Sequence, residues 1–391
     1  LPNVNKETLM RFAYSNPTQL LFGLGQIANI SSFIPESGKT LLVYGGGSIK
    51  RNGAYEQIAQ ALQGREWLEF GGVEPNPRVE TLSKGVALAK EQGVSFILAA
   101  GGGSVIDGAK YIAAAALYDG DGWDFPTGRA PIERALPLGA VVTLAATGSE
   151  SNFVAVVTKE SLQEKRTFRA PALQPRFAVL DPSFLSTLPD RQLANGLTDA
   201  FIHVCEQYLT FPSGLPIQDG YAETLLRALK DLAERFDERR TLPWSETLMW
   251  AANQAFNGLI ALSAPQDWAT HRISLDVTAI YGVDHGRALS CLQPSLLRET
   301  LQAKADKLRQ MGARVFDLPQ TKDLPERCIK AIEGVYRGLG MPLSLREAGV
   351  RDADAIERLL QALEKRGMTA LGEHGDITLA RSRAILERAR G

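Results

Sequence analysis

"VSFILAAGGGSVIDGAKYIAAAAL", residues 94–117, decides the fold. Its first seven residues form a short, largely apolar run suited to a buried strand. Glycines 101–103 break that run, and a helical stretch follows. A strand feeding a helix through a glycine turn is one unit of a parallel sheet. The same order recurs on both sides. "KTLLVYGGG" (39–47) is an apolar run ending in glycine, and "GAYEQIAQALQG" (53–64) has helical spacing with a glycine stop. "WLEFGG" (67–72) reads as a strand, and "PRVETLSKGVALAKEQG" (77–93) opens with proline and closes on glycine. "LGAVVTLAATGSES" (138–151) supplies another strand. The alternation predicts an α/β unit over residues 1–185, with a Rossmann-like parallel sheet flanked by helices.

After about residue 185 the pattern changes. Residues 186–210, 217–236, 245–264 and 352–367 all have the spacing of amphipathic or buried helices. No strand is read there, so residues 186–391 are predicted to form an all-α helical unit. The boundary falls in "FAVLDPSFLSTLPDRQ" (177–192), where Asp, Pro and Ser cluster. A cleft between the two units is the default place for a site.

Composition narrows the function. The 391 residues carry 43 basic and 44 acidic side chains, a net charge of −1, which argues against nucleic acid or an anionic membrane as main partner. Cys205, Cys291 and Cys328 form no CxxC pair and no disulfide framework, which fits a reducing cytoplasm. No apolar stretch reaches the roughly 18 residues of a membrane span. The start, "LPNVNKETLMRF" (1–12), lacks the basic-then-apolar layout of a signal peptide.

Two strands end in nearly the same loop, "YGGGSIKRNG" (44–53) and "AAGGGSVIDG" (99–108), each opening a helix. Glycine lets the backbone approach a phosphate, and a helix start offers free N–H groups. A lone glycine turn would mean little; two at successive strand ends point to a dinucleotide. Gly101, Gly102, Gly103 and Ser104 suit a diphosphate. The first loop has no carboxylate to bond an adenosine ribose. It offers Gly47, Ser48, Lys50 and Arg51, which suit a 2′-phosphate and hence NADP(H). "TLAATGSESN" (143–152) adds hydroxyls that could bond the nicotinamide side, although such clusters commonly cap helices.

In "LTDAFIHVCEQYLT" (197–210), Asp199 and His203 share a helix face, with Cβ atoms roughly 5–6 Å apart. Such a pair is more often a surface hydrogen bond than half a metal site. His271 and His285 lie in "QDWATHRISLDVTAIYGVDHGRAL" (266–289), and His374 in a polar stretch read as an exposed loop. One Asp and three His would suit Zn²⁺ or Fe²⁺ with room for a substrate oxygen.

Read together, the segments resemble the iron-containing (group III) alcohol dehydrogenases, in their NADPH-dependent aldehyde reductase and butanol dehydrogenase branch. The likeness rests on "LLFGLGQI", "YGGGSIKRNG", "FGGVEPNP", "GGGSVIDGAK", "TGSESN", "FAVLDP", "NGLTDAFIHVCEQYLT", "PQDWATH", "DHGRAL" and "GMTALGEHGDITL", in that order from about residue 17 onward. It implies an architecture like that of dehydroquinate synthase, a homodimer, and one divalent metal, Fe²⁺ or Zn²⁺, on Asp199, His203, His271 and His285. It implies dinucleotide contacts at Gly46, Gly47, Ser48, Asn76, Gly102, Gly103, Ser104, Asp107, Thr143, Thr147, Ser149 and Lys165. The chemistry would be metal-centred reduction of small alkyl aldehydes by NADP(H), with no catalytic side chain assigned. Where such enzymes usually carry a further, proton-relaying histidine, this chain has Leu275. That leaves two alternatives: a dehydroquinate synthase-like lyase, and a cofactor-binding protein without turnover. A lyase would need clustered basic residues near the metal segments, yet only Arg272 and Arg287 carry that charge between residues 266 and 287.

Overall fold

The computed structural model describes residues 10–391; residues 1–9, part of the stretch read for a signal layout and of the predicted first unit, lie outside the described residues. The chain begins with β1 (Gln19–Phe22), β2 (Lys39–Tyr44), α1 (Ala54–Ala61), β3 (Trp67–Phe70), α2 (Val79–Glu91), β4 (Val94–Gly101), α3 (Gly103–Ala115) and α4 (Asp124–Thr127). Next come β5 (Leu138–Val142), β6 (Val154–Lys159), β7 (Glu164–Arg169) and β8 (Phe177–Leu180). Six of these strands form one sheet in the order β1-β8-β5-β4-β2-β3, every neighbouring pair parallel.

Strand β4 shows why the sheet forms. Seven of its eight residues are buried, as a parallel strand covered on both faces requires. Its side chains alternate between two cores. Ile97 and Ala99 join Leu41 and Val43 beneath α3, while Phe96, Leu98 and Ala100 join Leu42 and Ile58 beneath α1. Strands β6 and β7 pair antiparallel outside this sheet and pack near α3, a hairpin that sequence spacing does not reveal.

The rest of the chain is dominated by helices: α5 (Asp190–Tyr208), α6 (Pro216–Glu234), α7 (Leu242–Ala255), α8 (Ala269–Tyr281), α9 (His285–Glu299), α10 (Leu301–Arg314), α11 (Leu324–Gly338), α12 (Ala355–Lys365) and α13 (Leu379–Ala389). The unit is not wholly helical. Between α12 and α13, β9 (Ala370–Leu371) and β10 (Ile377–Thr378) form a short antiparallel pair, too brief to show two-residue periodicity in the sequence. One apolar core runs from the sheet through α5, α6, α7, α10 and α11, and a second joins α8, α9, α12 and α13. No described helix is long and apolar enough to cross a membrane.

Two glycines bring the sheet and the helices to backbone distance. A Cβ on Gly196 of α5 would lie 2.2 Å from Ala145 O, in the loop after β5. A Cβ on Gly286 of α9 would lie 2.6 Å from Asn195 O of α5. These close approaches set Asp199 and His285 beside the C-terminal edge of the sheet, where parallel α/β sheets bind ligands.

Candidate metal centre and dinucleotide site

Asp199 and His203 lie one turn apart on the buried face of α5, His271 is in the first turn of α8, and His285 begins α9. The Nε2 atoms of His203, His271 and His285 lie 3.7, 3.5 and 3.7 Å from the same oxygen, Asp199 Oδ1. Ligand atoms of Asp199, His271 and His285 all fall within 4.8 Å of one another. His203 joins this group through Asp199 and by stacking on His271, ring centroids 4.6 Å apart. His374 is exposed and packs against Phe211, ring centroids 5.0 Å apart.

The donors fit a divalent cation. Asp199 Oδ1 and His271 Nε2 are buried and have no hydrogen-bond partner among the described residues. Buried polar atoms are ordinarily paired, and a carboxylate with imidazoles is the donor set of Zn²⁺ and Fe²⁺ sites. Burial pushes His203 down to about 4 and His285 well below the usual imidazole value, so both are neutral near pH 7. Burial also opposes charge on His271, but the carboxylates of Glu206 and Asp199 outweigh it and push His271 up to about 9. Burial likewise resists charge on Asp199, yet the surrounding imidazoles hold its carboxyl below the usual range.

Glu206 escapes the sequence reading. It sits three residues beyond His203 on α5, is almost wholly buried, and accepts from Thr270 N at 2.7 Å and His271 N at 3.3 Å. Its Oε2 also meets His271 Nδ1. A carboxylate on Nδ1 orients the ring and leaves Nε2 for a metal. The Asp199–His203–Glu206 spacing was the available signal, but a lone glutamate on a helix usually marks a solvated face. Glu206→Gln is expected to weaken metal binding about 10- to 100-fold. In the wild type, a proton on His271 competes with the cation, so affinity falls as pH drops below about 9. The variant should flatten that slope. Metal titrations across pH check both, and an unchanged slope would remove Glu206 from the site.

A second buried group braces α8. Lys304 Nζ lies 2.9 Å from Asp267 Oδ2, 2.8 Å from Glu373 Oε1 and 2.6 Å from Leu209 O. Asp267 Oδ1 in turn accepts from Ala269 N, at the start of α8.

The predicted dinucleotide residues gather along the sheet edge. Gly46, Gly47 and Ser48 follow β2, and Gly102, Gly103 and Ser104 open α3. Gly103 has no room for a Cβ, which would meet Thr147 Oγ1 at 2.4 Å. Thr143 follows β5, its N–H bonded to Gly101 O. Asp107 accepts from Ser149 Oγ at 2.6 Å and Val156 N at 3.0 Å, so these two predicted contacts also tie the loops together. Asn76 donates its N–H to Ser104 Oγ and accepts from Lys165 Nζ at 2.7 Å. Burial pushes Lys165 down to about 8, with Asp107 and Asp199 opposing. Its charge in turn lowers His285, which links the glycine loops to the histidines. Leu275 is buried on α8 one turn beyond His271, and its neighbour Asp276 bonds Arg366 at 2.6 Å.

Residues 17–182 match the family model for iron-containing alcohol dehydrogenase, and residues 193–378 match the C-terminal model of the Fe-containing alcohol dehydrogenase family. The chain is 46% identical to the NADPH-dependent aldehyde reductase YqhD of Escherichia coli over 386 residues, 97% of this chain and 99% of that one. It is 41% identical to the probable NADH-dependent butanol dehydrogenase 1 of Bacillus subtilis, covering 88% and 91%. Among solved structures, Escherichia coli K-12 YqhD superposes with a TM-score of 0.95 at 44% identity, covering 98% and 99%. The NADH-dependent butanol dehydrogenase A of Thermotoga maritima gives 0.94 at 34% identity, with the same coverage.

Proposed function

Because this chain belongs to the iron-containing alcohol dehydrogenase family, we propose that it is a metal-dependent, NADP(H)-using reductase of small alkyl aldehydes. The observation carrying this reading is the convergence of three imidazoles on Asp199 Oδ1 beside the glycine loops. We assign Asp199, His203, His271 and His285 to hold one Fe²⁺ or Zn²⁺, and the loops after β2, β4 and β5 to hold the dinucleotide. Once bound, the ion supplies a Lewis acid for the carbonyl oxygen and the dinucleotide supplies a hydride.

The chain's own residues do the rest. Asp199 would offset part of a bound cation's charge, Glu206 fixes the His271 ring, and Lys165 bonds Asn76 beside the loop that opens α3. Leu275 cannot donate a proton, so protonation of the product oxygen would fall to water or to a hydroxyl of the bound dinucleotide. The apolar side chain favours alkyl aldehydes over polyols such as glycerol. Names of relatives divide between NADPH and NADH; Gly47, Lys50 and Arg51 favour NADPH, by about 10- to 1000-fold. The three buried free cysteines fit the cytoplasm, and a homodimer is the proposed assembly.

NADPH oxidation with butanal, with and without a chelator, tests the function. Rapid, metal-dependent turnover is expected; a metal-loaded, NADPH-bound protein inactive on every aldehyde would favour the cofactor-binding alternative. The pH–rate profile should lack a residue-275 imidazole titration near the reference value of about 6.5. Leu275→His should introduce one and raise alcohol oxidation at neutral pH. A variant identical to wild type would take residue 275 off the proton path.

A further inference from the structure

Lys50 is not a free cation. Its ammonium lies 2.8 Å from Glu69 Oε2 and over the rings of Tyr44 and Tyr55, at 5.1 and 4.5 Å. The same carboxylate accepts from the Tyr44 hydroxyl at 2.8 Å and from the Tyr55 hydroxyl. Sheet register brings these residues together. Glu69 of β3 pairs with Leu42 of β2, and Tyr44 ends β2 immediately before the glycine loop. A carboxylate therefore stands at the mouth of residues 45–48, although the loop itself contains none. Burial resists charge on Glu69, but Lys50 and the two tyrosines hold its carboxyl below the usual range, so it is ionised near pH 7.

We propose that Glu69 is a specificity-determining residue for the dinucleotide, limiting the preference for NADPH by sharing Lys50 with the ribose 2′-phosphate. This rests on reading residues 44–53 as the adenosine-ribose end of the site. The chemistry separates the two cofactors. A 2′-phosphate near neutral pH is an anion with a charge approaching −2. It gains from Lys50 but is repelled by a carboxylate fixed 2.8 Å from that same ammonium. A 2′-hydroxyl has a proton to donate and is tolerated, or bonded, by a carboxylate. Lys50 alone would favour NADPH strongly; Lys50 held by Glu69 favours it less and keeps NADH usable.

The test is fluorescence titration of NADPH and NADH on the full-length wild type, Glu69→Gln and Lys50→Gln, alongside kcat/KM for butanal with each cofactor. Glu69→Gln should tighten NADPH about three- to five-fold, the range of a partly exposed charge interaction, without tightening NADH. The gain should shrink in about 0.5 M salt, where the screening length is only a few ångströms. Lys50→Gln should weaken NADPH more than NADH, and it serves as second variant if Glu69→Gln melts early. A Glu69→Gln protein with the wild-type NADPH:NADH ratio, or with weaker NADPH binding, overturns the inference while wild-type turnover leaves the reductase reading standing. Wild-type protein that binds neither dinucleotide overturns both.

Discussion

Replacing His285 with alanine is expected to strip the metal and lower aldehyde reduction by at least about 10³-fold, while dinucleotide binding largely persists. The size follows from losing a Lewis acid that contributes several kcal/mol to the barrier, at about 1.4 kcal/mol per factor of ten. His285 Nε2 is 3.7 Å from Asp199 Oδ1 and belongs to the mutually close set with His271. His203→Ala should behave alike, because its Nε2 lies equally near that oxygen. Elemental analysis, NADPH oxidation and fluorescence titration separate the effects. Stoichiometric metal in both variants would sink the four-residue assignment; metal kept only by His203→Ala would reduce it to three. Chelation of the wild type should lower thermal stability, since a ligand bound to the folded state stabilises it by mass action.

Gly286→Ala should cost both stability and activity although it touches no reactant. Its new methyl would lie 2.6 Å from Asn195 O and 3.1 Å from Asn195 Cα, and neither backbone atom can swing aside. Helix α9 must therefore back away from α5, taking His285 with it. Overpacking of this kind costs about 1–3 kcal/mol, and misplacing a reacting centre by about 1 Å can cost about 10²-fold in rate. Gly220→Ala, on α6 with no atom of the described residues within 4 Å of its added carbon, is the control and should be neutral or slightly stabilising. Melting temperature, metal content and turnover check the pair. If Gly286→Ala matched the control, the close approach would not matter to the site.

The readable parts of the sequence were those with one dominant physical signal. Strand β4 is a largely apolar run closed by three glycines, and it is a buried strand, as that run predicts. Asp199 and His203 were paired by helical spacing alone, whereas only the family resemblance joined them to His271 and His285. What remained hidden depended on partners distant in sequence. Strand β7 reads "EKRTFR", with a charge at four of six positions, like a solvated turn; yet Glu164 and Lys165 are buried in it. Strand β8 spans four residues and merged with the turn that follows. The loop around Lys50 contains no carboxylate in sequence, and Glu69, on another strand, reaches Lys50 only through sheet register. Glu206 was hidden for the opposite reason, lying on a helix already explained by Asp199 and His203.

The Lys304 group has a practical side for anyone altering this protein. The turn at His374–Asp376 is exposed, and exposed turns ordinarily tolerate inserted residues or a protease cut. Here Glu373 leads straight from that turn to Lys304, whose other carboxylate partner, Asp267, holds the first turn of α8 and so the helix bearing His271. A tag spliced into the turn would pull one carboxylate off a buried ammonium and slacken the mooring of a histidine on another helix. A harmless-looking edit at the surface would thus surface as a weaker grip on the metal.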